Sequence, residues 1–542
     1  MDRSSQVQSF DAFCRDALPP RHLWPDLDCS DVPGAPYPQR INCASELLDS
    51  HVDLGRGNSI ALHYSGTQWT YTDLLGVSNR IARVLVEDLA LLPGNRVMLR
   101  GANTPTLVAC WFAVLKAGCV AVCTPPLLRT KELVPIIRKA EVNLCITDQA
   151  IAEECLQAVT SSGRTVRVAL YDSSAPDSVD VLANRKDPKF DNIDTAAEDI
   201  AVIAFTSGTT GDPKGTMHFH RDLLAVSDCF GKTILDASSE DIFCGTPPLA
   251  FTYALGGLLL FPMRVGASSV LLDHGTPQSL IEAIQLYRPT ICFTSPTGYR
   301  AMLGMLDQFD VSSLKKCVSA GEPLSVATFQ AWKAATNIEI IDGIGSTELL
   351  HIFISAANGE IRPGCLGKAV PGYRACVLDD RGVEVPPGVI GRLAVRGPTG
   401  CRYLGDCDRQ AQYVERGWNI TGDACRMDED GYFWYEGRTD DMIVTAGYKI
   451  APPEVESVML EHPKVAECAV IGVPDSSRGQ IVRAFVVVKD DVIADDELAR
   501  DLQSFAKSKI APYKYPRSIR FLSQLPKTAT GKLQRHLLRE EN

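Results

Sequence analysis

The sequence predicts an α/β fold: a large N-terminal domain of two αβ-layered sheets plus a β-rich subdomain, followed by a small α+β C-terminal domain. Three observations predict it. Short apolar runs alternate with helical periodicity as far as Ile341, the pattern of parallel sheets covered on both faces. From about Pro371 the texture changes to short strands separated by turns at Asp380-Arg381-Gly382, Pro386-Pro387-Gly388 and Glu429-Asp430-Gly431. Beyond Asp440 about a hundred residues remain, enough for an independent domain. The expected division is therefore 1–439 and 440–542.

After a Pro-rich entry from Leu18 to Pro38, Thr72 is placed to cap a helix carrying Leu74, Leu75, Ile81, Val84 and Leu85, and Arg96 to Arg100 follows as a strand. A helix from Thr104 to Lys116, a strand from Val120 to Cys123, a helix from Lys131 to Ala140 and a strand from Leu144 to Thr147 continue the alternation. Ala201 to Phe205 is a buried strand by composition. Apolar runs at Ser269 to Leu272, Thr290 to Phe293, Cys317 to Ser319 and Ile338 to Ile341 build a second layer. In the last unit, strands are expected at Ala466 to Gly472 and Val482 to Lys489, and helices around Pro453 to Glu461 and Asp495 to Lys509. Its final third is basic, with Lys507, Lys509, Lys514, Arg517, Arg520, Lys527, Lys532, Arg535 and Arg539, either a solvated face or a partner for a phosphate.

At 542 residues, 45% hydrophobic and 22% charged, the chain is globular and exceeds one ordinary core. A net charge of −12 argues against nucleic acid or an anionic membrane as partner, so anionic small molecules must be met by local cations. Eighteen scattered cysteines without a CxxC pair point to reduced, mostly buried thiols. The first sixteen residues hold no apolar signal core, and the apolar stretch Leu255 to Met263 is short and ends at Arg264. A cytoplasmic protein is expected, monomer or homodimer.

The most informative segment is TSGTTGDPKG at 206–215, directly after the apolar strand. Glycines let backbone N–H groups converge, and the hydroxyls of Thr206, Ser207, Thr209 and Thr210, together with Gly208 and Lys214, suit a polyphosphate. It is not the GxxxxGK[ST] loop, because Lys214 precedes Gly215 and Pro213 intervenes. The alternative is a Ser/Gly-rich surface loop.

Further segments, GSTE at 345–348, GWNITGD at 417–423, GRTDDMI at 437–443 and PKTATGK at 526–532, stand in an order and spacing that resemble the adenylate-forming superfamily of acyl-CoA ligases, luciferases and peptide-synthetase adenylation domains. The resemblance spans nearly the whole chain. It implies ATP, Mg²⁺ and coenzyme A as cofactors and a small carboxylic acid as partner, activated as an acyl-adenylate. It implies a loop at 206–215 on the β- and γ-phosphates, Glu348 as Mg²⁺ ligand and Thr347 on the α-phosphate. Asp423 and Arg438 would meet the ribose, and Ala320, Gly321, Glu322, Pro323, Asp342, Gly343 and Ile344 would line the adenine side. Lys532 is the implied adenylation lysine on a mobile C-terminal domain, Asp440 the hinge, and Gly447 part of the pantetheine tunnel.

The segments PPLAFTYALGG and DGIGSTELLHIF resemble those of benzoate-type ligases, and HFHRDLL and LLLFPMRVGAS those of 2-aminobenzoate ligases. A flat ring would lie between Phe251, Tyr253, Ala320, Ile344 and Gly345, with His351 as the polar candidate for an ortho substituent. The same first half-reaction would also serve an enzyme that loads a carrier protein, although no carrier domain follows Lys532.

Overall fold

The computed structural model describes residues 10–206, 213–439, 441–445, 448–475, 479–510, 514–527 and 533–540. Two sheets carry most of the chain. The first has six strands in the order Arg167–Tyr171, Leu144–Asp148, Arg96–Arg100, Val120–Thr124, Ile200–Thr206 and Lys214–Phe219. Its first five strands run parallel, and Lys214–Phe219 turns back antiparallel on Ile200–Thr206.

The second sheet has nine strands, ordered Lys368–Ala369, Ile352–Ser355, Ile340–Gly345, Lys316–Ser319, Ile291–Thr294, Ile242–Gly245, Ser268–Val270, Ile60–Tyr64 and Thr67–Thr70. Its six central strands are parallel and both edges antiparallel. The far edge, the hairpin Ile60–Thr70, is an element the sequence reading lacked. One continuous core joins the layers, with Val97 and Leu99 of the first sheet and Leu62, Phe243 and Phe293 of the second in the same apolar cluster. In the helix Pro105–Lys116 every residue from Leu107 to Leu115 is buried in that cluster, as this unbroken apolar run requires.

The helix Tyr71–Arg83 has its cap two residues earlier than expected. Thr70 is the N-cap, because Asp73 stands at the third helical position and closes a reciprocal capping box with it, leaving Thr72 inside the first turn.

A third sheet, Arg374–Leu378, Gly391–Arg396, Trp418–Met427 and Val414–Glu415 with Phe433–Arg438 on Trp418–Met427, is antiparallel throughout and ends at Arg438. The C-terminal unit pairs Val465–Asp475 antiparallel with Gly479–Val488, which runs parallel to Ser518–Phe521. Helices Pro452–Leu460 and Asp496–Lys509 pack on this sheet. Much of the basic tail is neutralised inside this unit: Lys514 meets Glu454, Arg535 meets Glu456, Lys509 meets Glu461 and Lys527 meets Glu467. All eighteen cysteines are unpaired and only Cys407 is exposed. Among the described residues, no helix is long and apolar enough to cross a membrane.

Candidate active site

The apolar run before the glycine-rich segment forms a strand whose last residue, Thr206, stands directly opposite Lys214 across the hairpin. Ser207, Gly208, Thr209 and Thr210 lie outside the described residues. Strand alternation puts Lys214, Thr216 and His218 on one face. The segment around Tyr403 adds a further rung: Leu404 N donates to Gly215 O at 2.8 Å, Met217 N to Arg402 O at 2.8 Å, and Tyr403 bridges Thr216. Opposed residues share a face, so Lys214, His218 and Tyr403 all project toward the same side.

That side meets the segment Ser346-Thr347-Glu348. His218 Nε2 lies 2.9 Å from Thr347 O, and Tyr403 Oη donates to Glu348 Oε1 at 2.7 Å. Burial, with the charge of Arg402, pushes the His218 pKa down to about 3, so the ring is neutral and its Nε2 must carry the hydrogen given to the carbonyl. Burial and the neighbouring Glu348 charge raise the Tyr403 phenol far above its ordinary range, so it stays protonated and donates. The sequence reading missed His218 and Tyr403. The alternation Lys214, Thr216, His218 was a usable signal for the first, whereas nothing local marks the second.

On the opposite face of this ribbon, Arg402 stacks 3.9 Å over the Phe219 ring and pairs with Asp222, both side chains being fully buried. Burial raises the Asp222 pKa and lowers that of Arg402, with each partner's charge opposing the shift. The pair fixes the ribbon from behind.

The residues expected on the adenine side sit at the carboxyl ends of two adjacent parallel strands, where Ser319 is the register partner of Asp342. Ala320 follows one strand and is buried, and Gly321 has φ +89°, a left-handed conformation that favours glycine. Glu322 is engaged by Thr297 Oγ1 at 2.7 Å. Pro323 continues that loop. Asp342 Oδ1 is buried with no close hydrogen-bond partner among the described residues, and burial, opposed by Ser319 and the Gly343 N–H, raises the Asp342 pKa to about 7. Gly343 and Ile344 pair with Ser355 and Ile354, and a Cβ on Gly345 would lie 2.6 Å from the His351 carbonyl oxygen, so only glycine fits.

Asp423 and Arg438 are register partners in the third sheet, their side chains joined at 3.1 Å. Arg438 Nη1 also donates to Thr421 O at 2.9 Å, which orients the guanidinium along the strand end.

The residues expected around a flat ring include buried polar groups with definite partners. Phe251 N-caps the short helix Thr252–Ala254, and the Tyr253 hydroxyl is spent on Val318 O at 3.0 Å and Thr294 O at 3.3 Å. His351, 2% exposed, is ringed by Phe230, Tyr253, Phe261 and Phe293 at centroid distances of 4.6 to 6.4 Å. Burial pushes its pKa down to about 3, so it is neutral. Its Nε2 lies 3.3 Å from Tyr253 O and must donate there, which makes Nδ1 an acceptor, and Nδ1 has no partner among the described residues.

Lys532, Gly447 and Asp440, the expected hinge, lie outside the described residues. The next residue, Asp441, is held by Arg535 at 3.6 Å and by Arg539, both on the C-terminal helix. Among the described residues no group of three His, Cys, Asp or Glu could hold a metal ion. Glu348 alone, with one oxygen anchored, fits a hard cation whose remaining ligands are phosphate oxygens and water.

Residues 51–403 match the AMP-binding enzyme family and residues 454–532 the AMP-binding enzyme C-terminal domain. The chain is 33% identical over 521 residues to the benzoate–CoA ligase of Thauera aromatica, covering 94% of this chain and 98% of that protein. Its structure superposes on the anthranilate CoA ligase AuaEII in complex with anthranoyl-AMP with a TM-score of 0.88 at 35% identity, covering 93% and 98% of the two chains. A benzoate CoA ligase from Burkholderia xenovorans LB400 gives a TM-score of 0.84 at 32% identity over 92% and 100%.

Proposed function

Because the chain belongs to the AMP-binding enzyme family, we propose that it joins an aromatic acid, 2-aminobenzoate foremost, to coenzyme A. The reaction class is that of an AMP-forming acid–CoA ligase working through an acyl-adenylate. A carboxylate oxygen attacks the α-phosphorus of ATP and pyrophosphate departs. The CoA sulfur then adds to the activated carbonyl, and AMP leaves.

In this reading the face shared by Thr206 and Lys214 grips the β- and γ-phosphates together with Ser207, Gly208, Thr209 and Thr210. Thr347 meets the α-phosphate. Glu348 would hold Mg²⁺, which supplies positive charge to the phosphate oxygens when bound. Asp423 accepts hydrogen bonds from the ribose hydroxyls with Arg438 orienting it, and Asp342 takes the adenine amine. Adenylation needs preorganised cations rather than a protein nucleophile, since negative charge accumulates on the transferring phosphorus. Lys532 brings one from the C-terminal unit. Rotation about Asp440 then exchanges it for the CoA tunnel beside Gly447.

One observation carries the choice of acid: the neutral His351 presents an unpartnered acceptor, Nδ1, inside an aromatic cage. An ortho amine donates to such an atom, whereas unsubstituted benzoate leaves it unsatisfied, a cost of about 1–3 kcal/mol. Benzoate itself is the second reading, favoured by the apolar walls and the 33% identity to a benzoate–CoA ligase. Mass spectrometry of products from ATP, CoA and an equimolar mixture of substituted benzoates tests the choice. 2-Aminobenzoyl-CoA is expected to dominate; benzoyl-CoA in excess would move the assignment to benzoate.

A further inference from the structure

Tyr403 is 1% exposed and held on every side. Its backbone is sewn into the ribbon beside Thr216, its N–H donates to Gln410 Oε1 at 2.9 Å, and its ring meets Tyr413 edge-on at 5.7 Å. The phenol of this immobilised ring donates to Glu348 Oε1 at 2.7 Å. The backbone around Glu348 has other anchors: His218 on the Thr347 carbonyl, Thr399 Oγ1 on Leu349 O at 2.7 Å, and Ser346 Oγ accepting from Leu349 N at 3.2 Å. The Tyr403 hydroxyl is therefore not needed to hold the segment. What it fixes is the rotation of a carboxylate.

We propose that Tyr403 is a positioning residue for Glu348, clamping one carboxylate oxygen so that the other is presented to the cation carried by the ATP phosphates. This rests on the assignment of Glu348 above. A carboxylate has about four lone-pair sites, so one hydrogen bond leaves it competent as a ligand. A free carboxylate would have to be ordered each time the nucleotide arrives, and that ordering is done in advance by a ring which cannot move. The segment Cys401-Arg402-Tyr403 thus presents two opposite faces with two jobs: Arg402 fastens the ribbon to Asp222 behind, and Tyr403 aims Glu348 in front.

The test is Mn²⁺ binding, read by electron paramagnetic resonance on the full-length protein with the non-hydrolysable α,β-methylene ATP. Tyr403→Phe should weaken Mn²⁺ binding about tenfold, the size of one lost hydrogen bond to a charged group. The Mg²⁺ concentration for half-maximal pyrophosphate exchange should rise in parallel, while the KM for the acid and the rate of CoA transfer from supplied acyl-adenylate stay at wild-type values. Thr399→Val, which loosens the backbone and not the carboxylate, should leave Mn²⁺ binding unchanged. Wild-type Mn²⁺ affinity in Tyr403→Phe alongside a loss in Glu348→Gln would overturn the inference and leave the Glu348 assignment standing. Equal weakening by Thr399→Val and Tyr403→Phe would overturn it too, by showing a purely structural role. Wild-type Mn²⁺ affinity in Glu348→Gln would remove the assignment itself.

Discussion

Arg438 and Asp423 face each other across one rung of the third sheet, with Nη1 3.1 Å from Oδ1, at the point where that sheet gives way to the C-terminal unit. The guanidinium holds the carboxylate in one orientation, and Asp423 is only 8% exposed, so the pair is preformed before nucleotide binds. Asp423→Asn keeps the shape and removes the charge. The KM for ATP is expected to rise about 10- to 100-fold, the loss of a charge-assisted hydrogen bond, with the KM for the acid little changed. Steady-state kinetics with each substrate varied in turn checks this.

Asp342 supplies a pH dependence with a definite sign. Burial raises its pKa from 3.8 to about 7 in the folded protein. Below pH 3.8 both folded and unfolded forms are protonated and the side chain costs nothing. Between that value and about 7 the unfolded form ionises and the folded one does not, so stability falls as pH rises; above it the cost levels off. Asp342→Asn should therefore be more stable than wild type at pH 8, by up to about 4 kcal/mol at ~1.4 kcal/mol per unit, with the gap closing toward pH 4. Urea denaturation across that range measures it, and a gap independent of pH would show that ionisation is not its cause.

Arg402 and Asp222 form a fully buried ion pair behind the ribbon that carries Lys214 and His218. Arg402→Met removes the nearest cation from a buried carboxylate that keeps only Arg221 at 3.9 Å and the Phe219 N–H at 3.0 Å among the described residues, and is expected to cost about 3 kcal/mol, while Arg402→Met with Asp222→Leu recovers most of it. Denaturant midpoints of the two variants decide the point. A loss of under about 1 kcal/mol in the single variant would mean that Asp222 finds another partner or a proton.

Four parallel strands of each sheet were legible because buried parallel strands are short apolar runs, as in Arg96–Arg100 and Ile200–Thr206, whereas Ile60–Tyr64, Arg167–Tyr171 and Ile242–Gly245 went unread, and the helix Pro105–Lys116 was legible from its apolar run after Thr104. The cap of Tyr71–Arg83 was misplaced at Thr72 because two threonines precede the apolar run, and the deciding residue is Asp73. Tyr403 was invisible, since its bridge to Thr216 joins segments roughly 190 residues apart and no local pattern encodes such pairing. His351 was placed at the aromatic slot by its segment, but the cage that makes it neutral comes from Phe230, Phe261 and Phe293 on three other elements.

The central claim, that this site makes an aromatic acid reactive by attaching AMP, is tested most directly by acid-dependent exchange of labelled pyrophosphate into ATP in the absence of CoA. Exchange supported strongly by 2-aminobenzoate, less by benzoate and negligibly by medium-chain fatty acids is the predicted result. Exchange with medium-chain acids and none with any benzoate would contradict it.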